Sequence, residues 1–232
     1  MRPRGVLGRQ SDATLFMISL GRGARIDALK DKLERLALAS GGGSGQNRAM
    51  TAWENEKLKL HPQHGWRARP GCKIFVADRG AVRFEYPRTW FIVADEDSVK
   101  LYDKQPPHDD SRLTVSYVRL PAIDWSGLPL AGMLEAAVRD DERPIDEWEP
   151  IREQSRGDLE VAWREATFID SGEKREARSR ICIARRSTIQ CLLTFDFWAA
   201  DLKECEAAWT TVLETLELGE FIADPTRGPL VF

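Results

Sequence analysis

The sequence predicts an α+β protein, built on mostly antiparallel sheet with helices flanking it. Three observations predict this. Apolar residues recur at every second position through much of 73–117 and 159–197, the period of strands with one buried and one wet face. In the body of the chain the spacing changes to threes and fours only near 130–138 and 202–216. Strands therefore come in runs separated by single helices, unlike the one-for-one alternation of a doubly wound sheet. Charged residues at the alternate positions fit antiparallel strands partly open to water.

Each element follows from local chemistry. Lys73–Ala77 (KIFVA) is a short apolar strand, and Asp78-Arg79-Gly80 is a turn, because glycine tolerates positive φ. Val82, Phe84 and Tyr86 then face one side, with Arg83 and Glu85 on the other. Pro87 cannot donate to a ladder and closes that strand. Trp90 to Val93 resumes, so GAVRFEYPRTWFI (80–92) reads as strand, corner, strand, with Trp90 packed over the bend. Val99 and Leu101 mark another strand, QPPHDDSR (105–112) a loop, and Leu113, Val115 and Tyr117 the next strand. Leu130, Met133, Leu134, Ala137 and Val138 fall at helical spacing, with Pro129 suited to the first turn. A meander follows: Leu159, Val161 and Trp163; Ala177, Ser179, Ile181 and Ile183; then Ile189, Cys191, Leu193, Phe195 and Phe197. The last helix carries Leu202, Cys205, Trp209, Val212, Leu213 and Leu216. Asp201 and Glu204 are spaced as a capping box, and Gly219 serves as a stop.

Composition divides the chain at residue 49. Residues 1–49 are basic and hold one aromatic residue, Phe16, whereas all eight tryptophans lie beyond residue 50. In the arm, Ile26, Leu29, Leu33 and Leu36 make one helical stripe, and SGGGSGQNRAM (40–50) is a linker by composition. The arm reads as a docking helix on a tether, as an appended element, or as sequence upstream of a true start at Met50. Residues 50–232 read as one α+β domain with a C-terminal tail.

A net charge of −3 gives no global case for nucleic acid or an anionic membrane, so neither is expected as a partner. No apolar run approaches the roughly 18 residues of a span, and TLFMISL (14–20) is too short and interrupted for a signal peptide. Cys72, Cys182, Cys191 and Cys205 have no close spacing and read as free thiols in a reducing compartment, which makes the cytoplasm the expected location.

Chemistry is sparse. His61 and His64 in HPQHGW have neighbours that argue for loop, and no further ligand is near in sequence. His108, Asp109 and Asp110 form a small polar cluster that could sit at the mouth of a pocket. No G-x-S-x-G occurs, and SGGGSG lacks the Lys-Ser/Thr of a phosphate loop. No cofactor is expected. The polar positions of the meander include Arg164, Arg178 and Arg180, which read either as cross-strand ion pairs on a wet face or as a docking face for a protein. Trp66, Trp125 and Trp148 lie in apparent loops, where they either fold back onto the core or stand exposed as contact residues.

RFEYPRTW (83–90) contains an F-x-Y-P-x-x-W corner, and the closing helix ends in VLETLEL (212–218). With the helix placed before a long meander, residues 72–218 resemble the PsbP-like fold. That fold is shared by the extrinsic PsbP subunit of photosystem II, the Ran-binding factor Mog, and DcrB-like and Eag-type chaperone proteins. The resemblance implies an αβα sandwich acting as a non-catalytic binding or assembly module, in this case a chaperone-like adaptor for another bacterial protein. Trp125 and Trp148, with the three arginines, are the expected contact residues. The alternative is a small-molecule binder or enzyme with His108, Asp109 and Asp110 beside the sheet.

Overall fold

Directly opposed residues of an antiparallel pair share one face of the sheet, so strand register decides what each side chain meets. The computed structural model describes residues 14–20, 53–95, 98–125, 127–139, 141 and 143–229. The expected arm helix at Ile26–Leu36 and the linker at 40–50 lie outside these.

The larger sheet contains β5 (Phe91–Ala94), β6 (Val99–Tyr102), β7 (Ser111–Arg119), β8 (Ile145–Trp148), β9 (Arg152–Arg156), β10 (Leu159–Ile169), β11 (Glu176–Arg186) and β12 (Ile189–Trp198). Its order is β5-β6-β7-β12-β11-β10-β8, with β9 also paired to β10. The smaller sheet has the order β13-β4-β3-β1-β2, from β1 (Thr14–Leu20), β2 (Trp53–Lys59), β3 (Cys72–Ala77), β4 (Val82–Pro87) and β13 (Glu217–Leu218). Part of the 1–49 segment is thus built into a sheet: β1 pairs antiparallel with β2 and parallel with β3. All the other pairings are antiparallel.

Helices cover the larger sheet from both sides, the layered α+β arrangement expected. On the outer face, α1 (Leu130–Val138) sets Leu130, Met133 and Leu134 on Ala162, Ile183 and Ile181. On the inner face, α2 (Leu202–Thr215) and the smaller sheet enclose the main core. Trp209 of α2 lies edge-on to Trp163 at 5.6 Å and stacked on Phe195 at 5.9 Å. Phe75 and Phe84 bring β3 and β4 into the same core, stacked at 4.6 Å.

The corner forms as expected. Trp90 donates its backbone N–H to the Pro87 carbonyl at 3.0 Å, and its ring, 8% exposed, lies 5.7 Å from that of Phe195. The expected capping box does not form. The chain enters α2 through a 3-10 turn (Ala199–Asp201), which leaves Asp201 at φ −98°, ψ 13° rather than in the extended geometry a capping side chain needs, and Asp201 makes no side-chain cap bond. Gly219, at φ +70°, turns the chain after β13 rather than ending the helix.

The tail folds back onto the far side of the smaller sheet. Gly80 is required there: it holds φ +100°, and a Cβ on it would lie 1.9 Å from the Glu220 carbonyl oxygen. Ile222 joins Trp66 and Val76 in a second small core, and Trp66 Nε1 donates to the Pro225 carbonyl at 2.7 Å. Trp66 is therefore a core residue. Among the described residues no helix is long and apolar enough to cross a membrane, and no three His, Cys, Asp or Glu side chains are grouped to hold a metal.

Truncating a buried aromatic leaves a cavity as well as losing its transfer energy. Trp90→Ala is expected to cost about 3–5 kcal/mol in chemical denaturation; a loss below about 1 kcal/mol would mean that the corner does not depend on the ring.

Candidate functional site

Register lays the outer face out in rows. Phe91, Tyr102, Arg112, Asp196, Ser179, Ala166 and Trp148 follow one another across seven strands. The adjacent row runs Val93, Lys100, Thr114, Thr194, Ile181 and Arg164. Helix α1 packs on the β10–β11–β12 side of this face. On β5, Phe91 and Val93 stay 46% and 43% exposed.

Beside these rows is a cleft of about 290 Å³, walled by Arg112, Arg143, Arg178, Asp109, Asp110, Asp170 and Asp196 and by the rings of Phe168, Phe197 and Trp198. Its charges largely answer one another. Asp196 accepts from Arg112 Nη2 at 2.9 Å and from Ser179 Oγ at 2.7 Å, and lies 3.7 Å from Arg143 Nη1. Arg143 grips Asp141 in a fork, Nε to Oδ1 at 2.9 Å and Nη2 to Oδ2 at 2.5 Å, which holds the Asp141 carboxyl below its ordinary pKa. The Arg143 guanidinium also lies 5.0 Å over Phe168. Lys104 pairs with Asp110 and lowers its pKa. Asp109 and Asp110 thus lie on a cavity wall, while His108 is exposed and outside the lining.

The three arginines expected on one docking face are divided between two. Arg164 pairs with Ile181 and shares its outer face, whereas Arg178 and Arg180 oppose Thr167 and Glu165 on the inner face. Arg180 is not exposed. It is 2% accessible, donates through Nε to Glu165 Oε2 at 2.5 Å and also bonds Glu206. Its guanidinium lies 5.5, 5.2 and 5.8 Å from the rings of Trp163, Phe197 and Trp209. Arg178 Nη1 donates to the other oxygen of buried Glu165 at 2.6 Å. Trp125 is also buried, its Nε1 donating to the Pro121 carbonyl at 2.9 Å, so it is not an exposed contact residue. Trp148 is half-buried beneath Arg164, with the guanidinium 4.5 Å over the ring. Burial lowers the pKa of Arg164, opposed by Glu135 on α1.

Arg112, Arg143, Phe168, Asp196 and Trp198 were not anticipated at the cleft. Asp196 left one trace, a single charge inside the apolar run LLTFDFW.

The Alr1449 family model matches residues 73–222. The protein alr1449 of Nostoc sp. (strain PCC 7120) is 45% identical over 177 residues, covering 76% of this chain and 92% of that relative. The chain belongs to the Alr1449 family. Similar solved structures include cyanobacterial PsbP (CyanoP) from Synechocystis sp. PCC 6803, with a TM-score of 0.49 at 12% identity over 67% of this chain and 96% of that one. The Saccharomyces cerevisiae Ran-binding protein Mog1p gives 0.39 at 8% identity, over 60% and 90% of the two chains. LpqN of Mycobacterium tuberculosis, involved in cell envelope biogenesis, gives 0.44 at 12%, over 60% and 86%. PsbP and Mog are the folds that the corner motif resembles.

Removing one member of a buried ion pair strands the other charge in a low-dielectric interior. Arg180→Ala is expected to destabilise by about 3–5 kcal/mol, and Arg164→Ala by no more than about 1 kcal/mol. Equal losses in urea melts would place both arginines in the same environment.

Proposed function

We propose that this member of the Alr1449 family is a protein-binding or assembly module, and that its partner docks on the outer face between β5 and the cleft. One observation carries the reading. Helix α1 packs on one side of that face, and on the other Phe91 and Val93 stand nearly half exposed, Phe91 in the row that leads to Arg112 and Asp196 of the cleft. Exposed apolar side chains beside a charged one, Lys100 opposite Val93, match the anatomy of a protein interface. The occupant we infer is another protein that sets apolar side chains against Phe91 and Val93. A chaperone-like adaptor is the form of this role that we favour, because exposed apolar residues on a sheet face suit holding a partner.

The cleft supports a small-molecule or enzymatic role less well. Its arginines already engage carboxylates of the same chain, so a charged ligand would have to displace an internal pair. Among the described residues lining it there is no histidine or cysteine.

The full chain, immobilised, tests the docking face against lysate of its own source. Phe91→Ser with Val93→Ser should abolish recovery of whichever protein the wild type retains, with little change in melting temperature. Phe221→Ser, on the tail, should keep it. Recovery that survives the β5 changes removes this face.

A further inference from the structure

The charged residues lining the cleft are not all engaged alike. Arg112, Arg143 and Arg178 are each bonded to a carboxylate of the same chain, Asp196, Asp141 and Glu165 in turn. Asp110 is bonded to Lys104. Asp170 uses one oxygen on its own turn, where Oδ1 accepts from the backbone N–H groups of Gly172 at 2.9 Å and Glu173 at 2.7 Å. Asp109 stands apart. It is half-buried on the wall and makes no hydrogen bond or ion pair among the described residues; its charge acts on Arg112 only through space.

Partly out of water, such a carboxylate attracts an opposite charge more strongly than a fully exposed one does. The walls suit an organic cation. Phe168, Phe197 and Trp198 supply ring surface beside the acids, and a basic side chain lays its methylene stem on apolar surface while its charged head stays with polar groups. The chain's own arginines already use these rings. Arg143 lies 5.0 Å over Phe168, and Arg175, exposed on the β10–β11 turn, lies 4.4 Å over Trp198. Size narrows the occupant further. At about 290 Å³ the cleft sits at the bottom of the range for small-molecule pockets, which begins near roughly 300 Å³, so it suits one long side chain better than a larger molecule.

We propose that the cleft receives a lysine or arginine side chain of the protein docked on the outer face, with Asp109 as its counter-ion and the aromatic walls against its stem. The assignment rests on the docking reading above. Charge complementarity chooses the occupant. An anion would have to break one of the arginine pairs, whereas a cation meets an acid that has no bonded partner. Position agrees. Arg112 and Asp196 follow Phe91 and Tyr102 in one row, so the cleft lies two to three strand spacings from the apolar edge, about 10–15 Å. One partner segment spans that distance in four or five extended residues, at about 3.3 Å each.

The test uses the full chain with 15N-labelled tryptophan and N-acetyl-arginine amide as probe. The Trp198 Nε1–H resonance, assigned by its loss in Trp198→Phe, should shift saturably with this probe and stay still with N-acetyl-glutamine amide. Asp109→Asn should weaken the titration about tenfold, the loss expected for one charge-assisted bond, with no change in melting temperature. Glu153→Gln, exposed on β9, should leave the titration as it is. An unmoved resonance at tens of millimolar probe, an equal shift with the glutamine amide, a titration indifferent to Asp109→Asn, or a tighter response to N-acetyl-glutamate amide would each overturn the proposal. Partner recovery separates the two readings. Loss with the β5 variants and with Asp109→Arg is the result expected. Loss with the β5 variants but retention with Asp109→Arg keeps the docking face and removes the cleft as a receptor. A probe shift alongside recovery that survives the β5 changes removes the docking face and keeps the cation site.

Discussion

The uninterrupted register of β7, β12, β11 and β10 is the constraint on which the rest depends. Four long antiparallel strands paired residue for residue leave no freedom over which side chains share a face. Since helices cover the sheet from both sides, odd and even positions alike are drawn into apolar surroundings. A charge on such a strand must then find its partner on the next one. Glu165 sits directly opposite Arg180, and the buried pair follows from that opposition. A slip of one residue would turn Arg180 to the outer face and leave Glu165 buried without its partner.

The same constraint explains what could be read in advance. Val82, Phe84 and Tyr86 announce β4 because one of its faces is polar, and both helices announce themselves by a change of period. The strand β9, Arg152–Arg156, has no apolar residue and owes its form to β10 beside it. The arginines of β11 misled for a related reason. Alternation tells which residues lie together but not which set turns inward, and both sets of β11 contain apolar residues. Arg178 and Arg180 therefore looked wet beside Ile181 and Ile183, although they share their face with Cys182 and Phe195. The stack of Arg164 on Trp148 was equally out of sight, since it joins separate strands through a pairing with a bulge.

Arginine is used in three ways on one sheet. Buried, it takes a carboxylate, as Arg185 takes Glu160, and Arg180 adds aromatic faces to its two carboxylates. At the cleft it links acids into chains, as Arg112, Asp196 and Arg143 do. On tryptophan alone it keeps its hydrogen-bonding edge uncommitted. A lysine could not serve the third use, for it has no plane to stack and no fork to present.

The tail that closes over Trp66 also fixes which way the molecule would face on a tether. Ile222 and Pro225 are held on the side of the smaller sheet away from the larger one, so α1 and the outer rows lie on the opposite surface. Packed layers are spaced by about 10 Å. A neighbour attached through the tail would be set behind the protein by two such layers, and the exposed edge of β5 would still face outward.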